Sequence, residues 1–244
     1  MIDQVGMYDR HVRKSVNLPI INDEDDIYYC ERLLNEAFLE LNHHGCGPIH
    51  INIPMKSYNN SFNVKTLPNI KKIERVELTE RKKVEIYKKK LREKNRILVV
   101  CGQNSYVSEK LKNEIATFFK KYNASVSLEY MSNVDFEKGI NLNVGMDSRF
   151  ITTKKMKELL PELVISFGGN VFNGIKDQLR KFYKEIEHWS IEPSGKVVDL
   201  FKSLSTIFEC TPEDFFIEMN NVDCELCNNE VYNNILLDYV DSIK

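Results

Sequence analysis

Arg96–Gly102 reads RILVVCG: one cation, five consecutive apolar residues, then a glycine. A short apolar run of this kind predicts a strand buried on both faces, with the glycine ending it. PELVISFGG, Pro161–Gly169, repeats the signature. Between the two, Val107–Tyr122 places Leu111, Ile115, Phe118 and Phe119 at helical spacing. ASVSLEY (124–130) alternates Ala124, Val126, Leu128 and Tyr130 and predicts a strand. GINLNVG (139–145) predicts a weaker one, and Thr153–Leu160 a short helix. Beyond the second apolar run, Asn170 is placed to cap a helix reaching about Lys184. IEHWSIEP (186–193) and LSTIFEC (204–210) predict two more strands. Thr211-Pro212-Glu213-Asp214 supplies an N-cap, a proline at N1 and first-turn acids for the next helix. A last helix is predicted over about Leu226–Ile243. Strands alternating with helices imply an α/β fold, a doubly wound parallel sheet covered on both faces, over residues 96–220.

Upstream of this pattern, Thr79–Glu93 predicts a basic helix whose thin apolar stripe, Val84, Tyr87 and Leu91, rests against a domain rather than inside one. Ser57–Pro68 is polar, rich in Asn and Ser, and reads as a linker. The first segment carries a helix, with N-cap candidates and acids in Asn22–Asp26 and apolar residues at Tyr29, Leu33, Leu34, Ala37, Phe38 and Leu41. Gly45-Cys46-Gly47-Pro48 ends that helix, and Ile49–Ile53 follows as a strand that Pro54 stops. No second strand is evident in residues 1–48. A lone strand leaves main-chain donors unpaired. It is therefore expected to pair with a neighbouring molecule, to join the edge of the other sheet, or to fray.

The 244 residues are 42% hydrophobic, enough for a sizeable core, and a net charge of −2 gives no general case for nucleic acid as a partner. Charge is unevenly spread. Lys71–Arg96 holds twelve Lys or Arg against five Glu, and from Glu209 onward nine acids face only Lys244. That asymmetry reads either as a binding surface or as two solvated helical faces. The first thirty residues show no apolar signal-peptide core, and no apolar run approaches the roughly 20 residues of a membrane span. A cytoplasmic location without membrane contact is expected. The six cysteines, at 30, 46, 101, 210, 224 and 227, do not make a disulfide scaffold in a chain of this size.

Doubly wound sheets take ligands beyond the carboxyl ends of their strands. Five residues stand there as candidate contacts: Gly102, Gly168, Gly169, Asn170 and Glu192. CGQNSYVSEK (101–110) lacks a dinucleotide fingerprint, because Asn104 and Tyr106 stand where further glycines belong. In SFGGNVFNG (166–174) free amides could hold an anion, although a tight strand-to-helix turn explains the glycines equally. Glu192 follows a strand where an acid can hold a ribose, and His188 and Trp189 read as structural. Gly195-Lys196 is not a phosphate loop, since Val197 replaces the required Ser or Thr. Cys224-x-x-Cys227 has redox or metal spacing but no second pair or following histidine to complete a site. His43-His44 at a helix C-terminus is explained by the helix dipole without a metal. The chain shows neither a G-x-S-x-G elbow nor H-E-x-x-H.

The order of these pieces, with GPIHINIP (47–54), LVISFGG (163–169) and HWSIEPSG (188–195), resembles thiamine-diphosphate-dependent enzymes. DQVGMYDRHVRKSVNLP (3–19) looks like the segment shortly before the close of their pyrimidine-binding domain. Within the family the central region is most similar to the menaquinone-pathway branch, the succinyl-enolpyruvyl-hydroxycyclohexene-carboxylate synthases. The resemblance implies that residues 1–57 are the end of a pyrimidine-binding domain, 58–95 a linker and basic helix, and 96–244 a central Rossmann-like domain. It covers nearly the whole chain but only the middle of the family's length. No position matches the family's catalytic glutamate or its G-D-G…N signature for magnesium and diphosphate, so neither role carries over. The expectation is a structural fragment, inactive alone, of a decarboxylase and carboligase. Thiamine diphosphate and Mg2+ belong to the parent, whose other domains and subunits, as a homo-oligomer, are the partners. Two other readings stand beside it: a Rossmann-like protein binding FAD, NAD or ADP, and a non-enzymatic assembly module using the basic helix and acidic tail.

Overall fold

The computed structural model describes residues 4–55, 65–67, 69–147, 149–222 and 230–243. The chain divides into two compact units, Met1–Glu74 and Arg75–Lys244.

The first unit corrects one expectation. Ile49–Asn52 (β2) is not alone: Lys14–Asn17 (β1) pairs with it in parallel, Lys14 opposite Ile49 and Asn17 opposite Asn52. Glu24–Glu40 (α1) crosses between the two strands, as a parallel connection requires. β1 escapes notice because KSVN holds one apolar residue and no run. Asp23 caps α1 by accepting from the Asp26 amide at 2.9 Å, and Glu24, Asp25 and Asp26 occupy its positive end. Asn35 on α1 clamps the returning chain, donating to the Lys71 carbonyl and accepting from the Ile73 amide, both at 2.8 Å. Val16, Leu18, Leu33 and Ala37 form a small core. Much apolar surface stays outside it. Among the described residues, twelve of the twenty exposed large hydrophobic ones lie in this unit, including Ile20, Ile27, Phe38, Ile53 and Met55. Every residue of β2 is half-buried. Parallel sheets are ordinarily covered on both faces, and this one is not.

The second unit is built on a six-stranded sheet. Glu74–Val76 (β3), at the division between the units, lies at its edge. Arg81–Arg92 (α2), Ile97–Cys101 (β4), Glu109–Lys121 (α3) and Ala124–Leu128 (β5) follow. Leu142–Gly145 (α4) and Thr153–Leu159 (α5) lead to Leu163–Phe167 (β6). Asn173–Lys181 (α6), Glu187–Ile191 (β7), Leu204–Phe208 (β8), Pro212–Asn220 (α7) and Val231–Asp241 (α8) complete the order. The strands run β3-β8-β7-β6-β4-β5, and the pairings from β8 through β5 are parallel. The doubly wound reading holds.

Two cores sandwich the sheet. One face buries Ile97, Val99, Val126, Ile165, Phe167, Trp189 and Phe208 under α2, α3 and α7. Edge-to-face contacts link Tyr87 to Trp189 at 5.1 Å and Phe208 to Phe215 at 4.8 Å. The stripe of α2 is more than a resting surface, because Val84 and Leu91 have no solvent exposure. The opposite face buries Leu98, Val100 and Val164 under α4, α5, α6 and α8. That face also carries Ser125, Ser127, Ser166 and His188, all buried. Buried polar atoms need partners, and Ser125 meets Asn233 of α8 at 2.8 Å.

Other boundaries shift for local reasons. GINLNVG is not a strand: Ile140 makes one bridge to Ser127, then Asn141 accepts from the Asn143 amide at 3.1 Å and turns the chain into α4. The helix after β6 starts at Asn173 with Phe172 at its N-cap, so Asn170 is not the cap. Gly168, at φ +83°, starts a loop tied elsewhere, which delays the helix. β3 was hidden in a charged stretch. The start predicted for the last helix, Leu226, lies outside the described residues. No helix among the described residues is long and apolar enough to cross a membrane.

Candidate functional site

The chain order of the sheet reverses between β4 and β6: β5 lies to one side of β4, and β6, β7 and β8 to the other. Ligands of doubly wound sheets enter at such a switch point, beyond the carboxyl ends. Here those ends are Gly102 and Gly168-Gly169-Asn170, so the structure brings four of the candidate residues together.

They meet more tightly than a crevice allows. The Gly102 amide donates to Phe167 O at 2.9 Å, Gln103 N to Asn170 O at 3.0 Å, and Gly169 N to Gln103 O at 2.6 Å. The ladder between β4 and β6 is thus carried into the loops. Glycine is required for this approach: a Cβ on Gly102 would lie 2.7 Å from the Gly169 carbonyl oxygen. Asn104 extends the stitching, its amide group donating to Gly102 O at 2.9 Å and its backbone N–H to Met131 O at 3.0 Å. Asn133 then donates to Asn104 O at 2.5 Å. Three loops, after β4, β5 and β6, form one hydrogen-bonded platform. The amides of Gly102, Gln103 and Gly169 are engaged within it, so an incoming anion would find carbonyls and side chains there.

Glu192 stands apart, after β7. Its carboxylate accepts from the Ser194 hydroxyl at 2.7 Å and the Ser194 amide at 3.1 Å, within its own turn. The Gly195 carbonyl, next in that turn, accepts from Arg75 Nε at 2.8 Å.

Two groupings went unseen in the sequence. Glu129, just after β5, is 4% exposed and accepts from Asn143 at 2.8 Å, while its Oε1 has no hydrogen-bond partner. Burial pushes its carboxyl up; the Asn143 amide, the Phe172 N–H and Lys176 pull it partly back. Glu129 continues the polar phase of Ser125 and Ser127, which reads as solvent-facing until helices cover that side. Ser166, His188 and Asp199 form the second grouping. Ser166 Oγ lies 2.8 Å from His188 Nε2, and His188 Nδ1 3.7 Å from Asp199 Oδ1. The residue types match a hydrolytic triad, but Ser166 sits mid-strand and His188 has no exposure, so no substrate reaches them. Asp199 also accepts from the amides of Phe201, Ser203 and Leu204, which shapes the entry to β8.

The charge asymmetry is partly consumed inside the second unit. Glu218 of α7 meets Lys88 at 2.6 Å and Arg81 at 3.1 Å, both from the basic helix α2. His43 pairs with Glu40 at 3.3 Å. Cys30, Cys46, Cys101 and Cys210 are free thiols; burial raises the Cys101 thiol and pushes Cys210 up to about 12, so neither is a ready nucleophile. Cys224 and Cys227 lie outside the described residues.

No protein-family model matches the chain. Several curated proteins do. The 2-succinyl-5-enolpyruvyl-6-hydroxy-3-cyclohexene-1-carboxylate synthase of Bacteroides fragilis is 33% identical over 232 residues, covering 88% of this chain and 39% of the synthase. Its namesake from Bacteroides thetaiotaomicron is 34% identical over 222 residues, 88% of this chain and 39% of that protein. The Phocaeicola vulgatus synthase is 31% identical over 221 residues, 88% and 38% respectively. This chain therefore spans about two-fifths of the length of the relatives it matches. Over that length the chain is homologous to the 2-succinyl-5-enolpyruvyl-6-hydroxy-3-cyclohexene-1-carboxylate synthases, the branch that GPIHINIP and HWSIEPSG resemble.

Proposed function

We propose that this chain is the central α/β domain, with the closing β-α-β unit of a pyrimidine-binding domain, of a thiamine-diphosphate-dependent enzyme. The parent decarboxylates a 2-oxo acid on the cofactor and transfers the acyl carbanion to an acceptor, forming 2-succinyl-5-enolpyruvyl-6-hydroxy-3-cyclohexene-1-carboxylate. The observation that carries this is identity of 31–34% over 88% of the chain to proteins of that name, against about two-fifths of their length. The apolar residues left uncovered in the first unit support it, since more protein is needed to bury them.

The residues described here do not fit thiamine diphosphate. A diphosphate needs free amides or cations, and magnesium needs carboxylate oxygens beside it. The switch-point loops carry no charge, and their Gly102, Gln103, Asn104 and Gly169 amides are already engaged by neighbouring main chain. No step of thiamine chemistry is assigned to these side chains; they scaffold an enzyme whose cofactor and Mg2+ sit on other segments, in a cytoplasmic homo-oligomer. Calorimetric titration tests this. The 244-residue chain is expected to release no binding heat with thiamine diphosphate and Mg2+, and the polypeptide extended by its flanking sequence to bind and form product. Saturable micromolar binding to the chain alone would refute the scaffold role. An extended polypeptide that binds no cofactor would refute the enzyme reading.

A further inference from the structure

One side of α2 is anchored in the second unit. Val84, Tyr87, Lys88 and Leu91 are buried. The Tyr87 hydroxyl accepts from Thr206 at 3.1 Å, and Lys88 donates to Glu218 at 2.6 Å and to the Asn221 carbonyl at 3.2 Å. Held at these points, the helix presents one fixed outward face. Lys82, Lys83, Ile86, Lys89, Lys90 and Arg92 stand on it, all exposed. Ile86, 56% exposed, has a lysine at each of its four helical neighbours: Lys82, Lys83, Lys89 and Lys90.

Folding does not call for this arrangement. The first turn of α2 holds Arg81, Lys82 and Lys83 and no acid, where the helix dipole favours the reverse. Glu218 and Glu80 offset Arg81 and Lys83. Glu85 is met by Lys88 and, at the last turn, Glu187 by Lys94. From Glu77 to Lys94 eight cations stand against four acids, in a chain whose net charge is −2. The cationic excess is therefore local to this helix.

The geometry points to this face as a docking surface for an anionic lipid bilayer. Lysine and arginine near such a surface are drawn to its headgroups, and their alkyl stems lie along apolar matter. Ile86, ringed by lysines, is placed to enter the headgroup layer among them. Nucleic acid would use the cations and gain nothing from the isoleucine, so Ile86 selects lipid. No helix among the described residues is fit to span a membrane, and attachment at its surface needs none. The 12 residues of α2 reach about 18 Å, so the contact is small and reversible.

Flotation of the 244-residue chain with vesicles tests this. The chain should bind vesicles of equal parts phosphatidylglycerol and phosphatidylcholine at low salt, release them at high salt, and ignore pure phosphatidylcholine. Lys82→Glu combined with Lys89→Glu should weaken binding about tenfold or more, and Ile86→Ala about fivefold. Both variants should keep the wild-type thermal midpoint, since these side chains face solvent. Ile86→Ala should leave retention on heparin unchanged, because a polyanion reads only the cations. No binding to the anionic vesicles at low salt would overturn the proposal. Equal binding to both kinds of vesicle would do so too, placing attachment on the exposed apolar residues of the first unit, as would binding that survives the charge reversals. Undiminished vesicle binding by Ile86→Ala would replace the bilayer with nucleic acid or another polyanion.

Discussion

The Gly169 amide reaches across the switch point to the Gln103 carbonyl at 2.6 Å, joining the loops that follow β4 and β6. A position that in related architectures opens a crevice is here closed by main chain.

Gly102 is what permits the closure. Gly102→Ala sets a methyl 2.7 Å from the Gly169 carbonyl, backbone against backbone, and should cost about 2 kcal/mol. Gly169→Ala meets nothing nearer than 3.3 Å and has no positive φ, so it should cost less than half of that. Urea denaturation of the two variants checks the order.

Glu129 should make the fold more stable in mild acid than at neutral pH. Its folded pKa is raised by burial, so the folded state binds the extra proton. Stability then falls as pH rises from the unfolded carboxyl value, about 4.3, through the raised folded value. Glu129→Gln removes the buried charge and keeps an acceptor for Asn143. It should raise the thermal midpoint at pH 7 and leave it nearly unchanged near pH 4. Thermal melts at the two pH values test this, and an equal shift at both would contradict it.

Glu218 behaves oppositely. The hydrogen bond from Lys88 holds its carboxyl below the usual range against the opposing effect of burial, and Arg81 adds to the depression. A depressed carboxyl contributes stability above its unfolded pKa, about 4.3, and that stability is lost as pH falls through the folded value. Lys88→Gln leaves Glu218 mostly buried without its main cation, and should lower stability by about 2 kcal/mol at pH 7. Near pH 3 the difference from wild type should shrink. Denaturation at both pH values measures it.

Asp199 organises the path into β8 through three amides and faces His188. Asp199→Ala strands those donors and should cost about 3 kcal/mol. Asp199→Asn keeps an acceptor and should recover most of it. Hydrogen exchange at Phe201, Ser203 and Leu204 should accelerate in the alanine variant alone.

The parts of the fold that were legible are those where local pattern and burial agree. β4 and β6 announce themselves because a fully buried strand must be apolar on both sides. Thr211-Pro212 opens α7 as read, because a cap depends on four neighbouring residues: Thr211 accepts from the Asp214 amide at 3.1 Å. β1 and β3 were illegible because their four and three residues are chosen by pairing partners far along the chain. GINLNVG misled because alternation is also what a buried bridge followed by an Asx turn looks like.

The candidate site divides in the same way. Residue identity alone settled that the switch-point loops carry glycines and no charges, and that the chain aligns with the synthases over 88% of its length. Whether the glycine amides stand open or are spent depends on two segments about 65 residues apart docking edge to edge, 102–104 against 167–170. The burial of Glu129 depends on Asn143 of α4 and the Phe172 turn that opens α6 closing over it. Sequence determines which groups a chain owns through local geometry, while hydrogen-bond partners and solvent access are properties of segments brought together, and only the tertiary structure decides them.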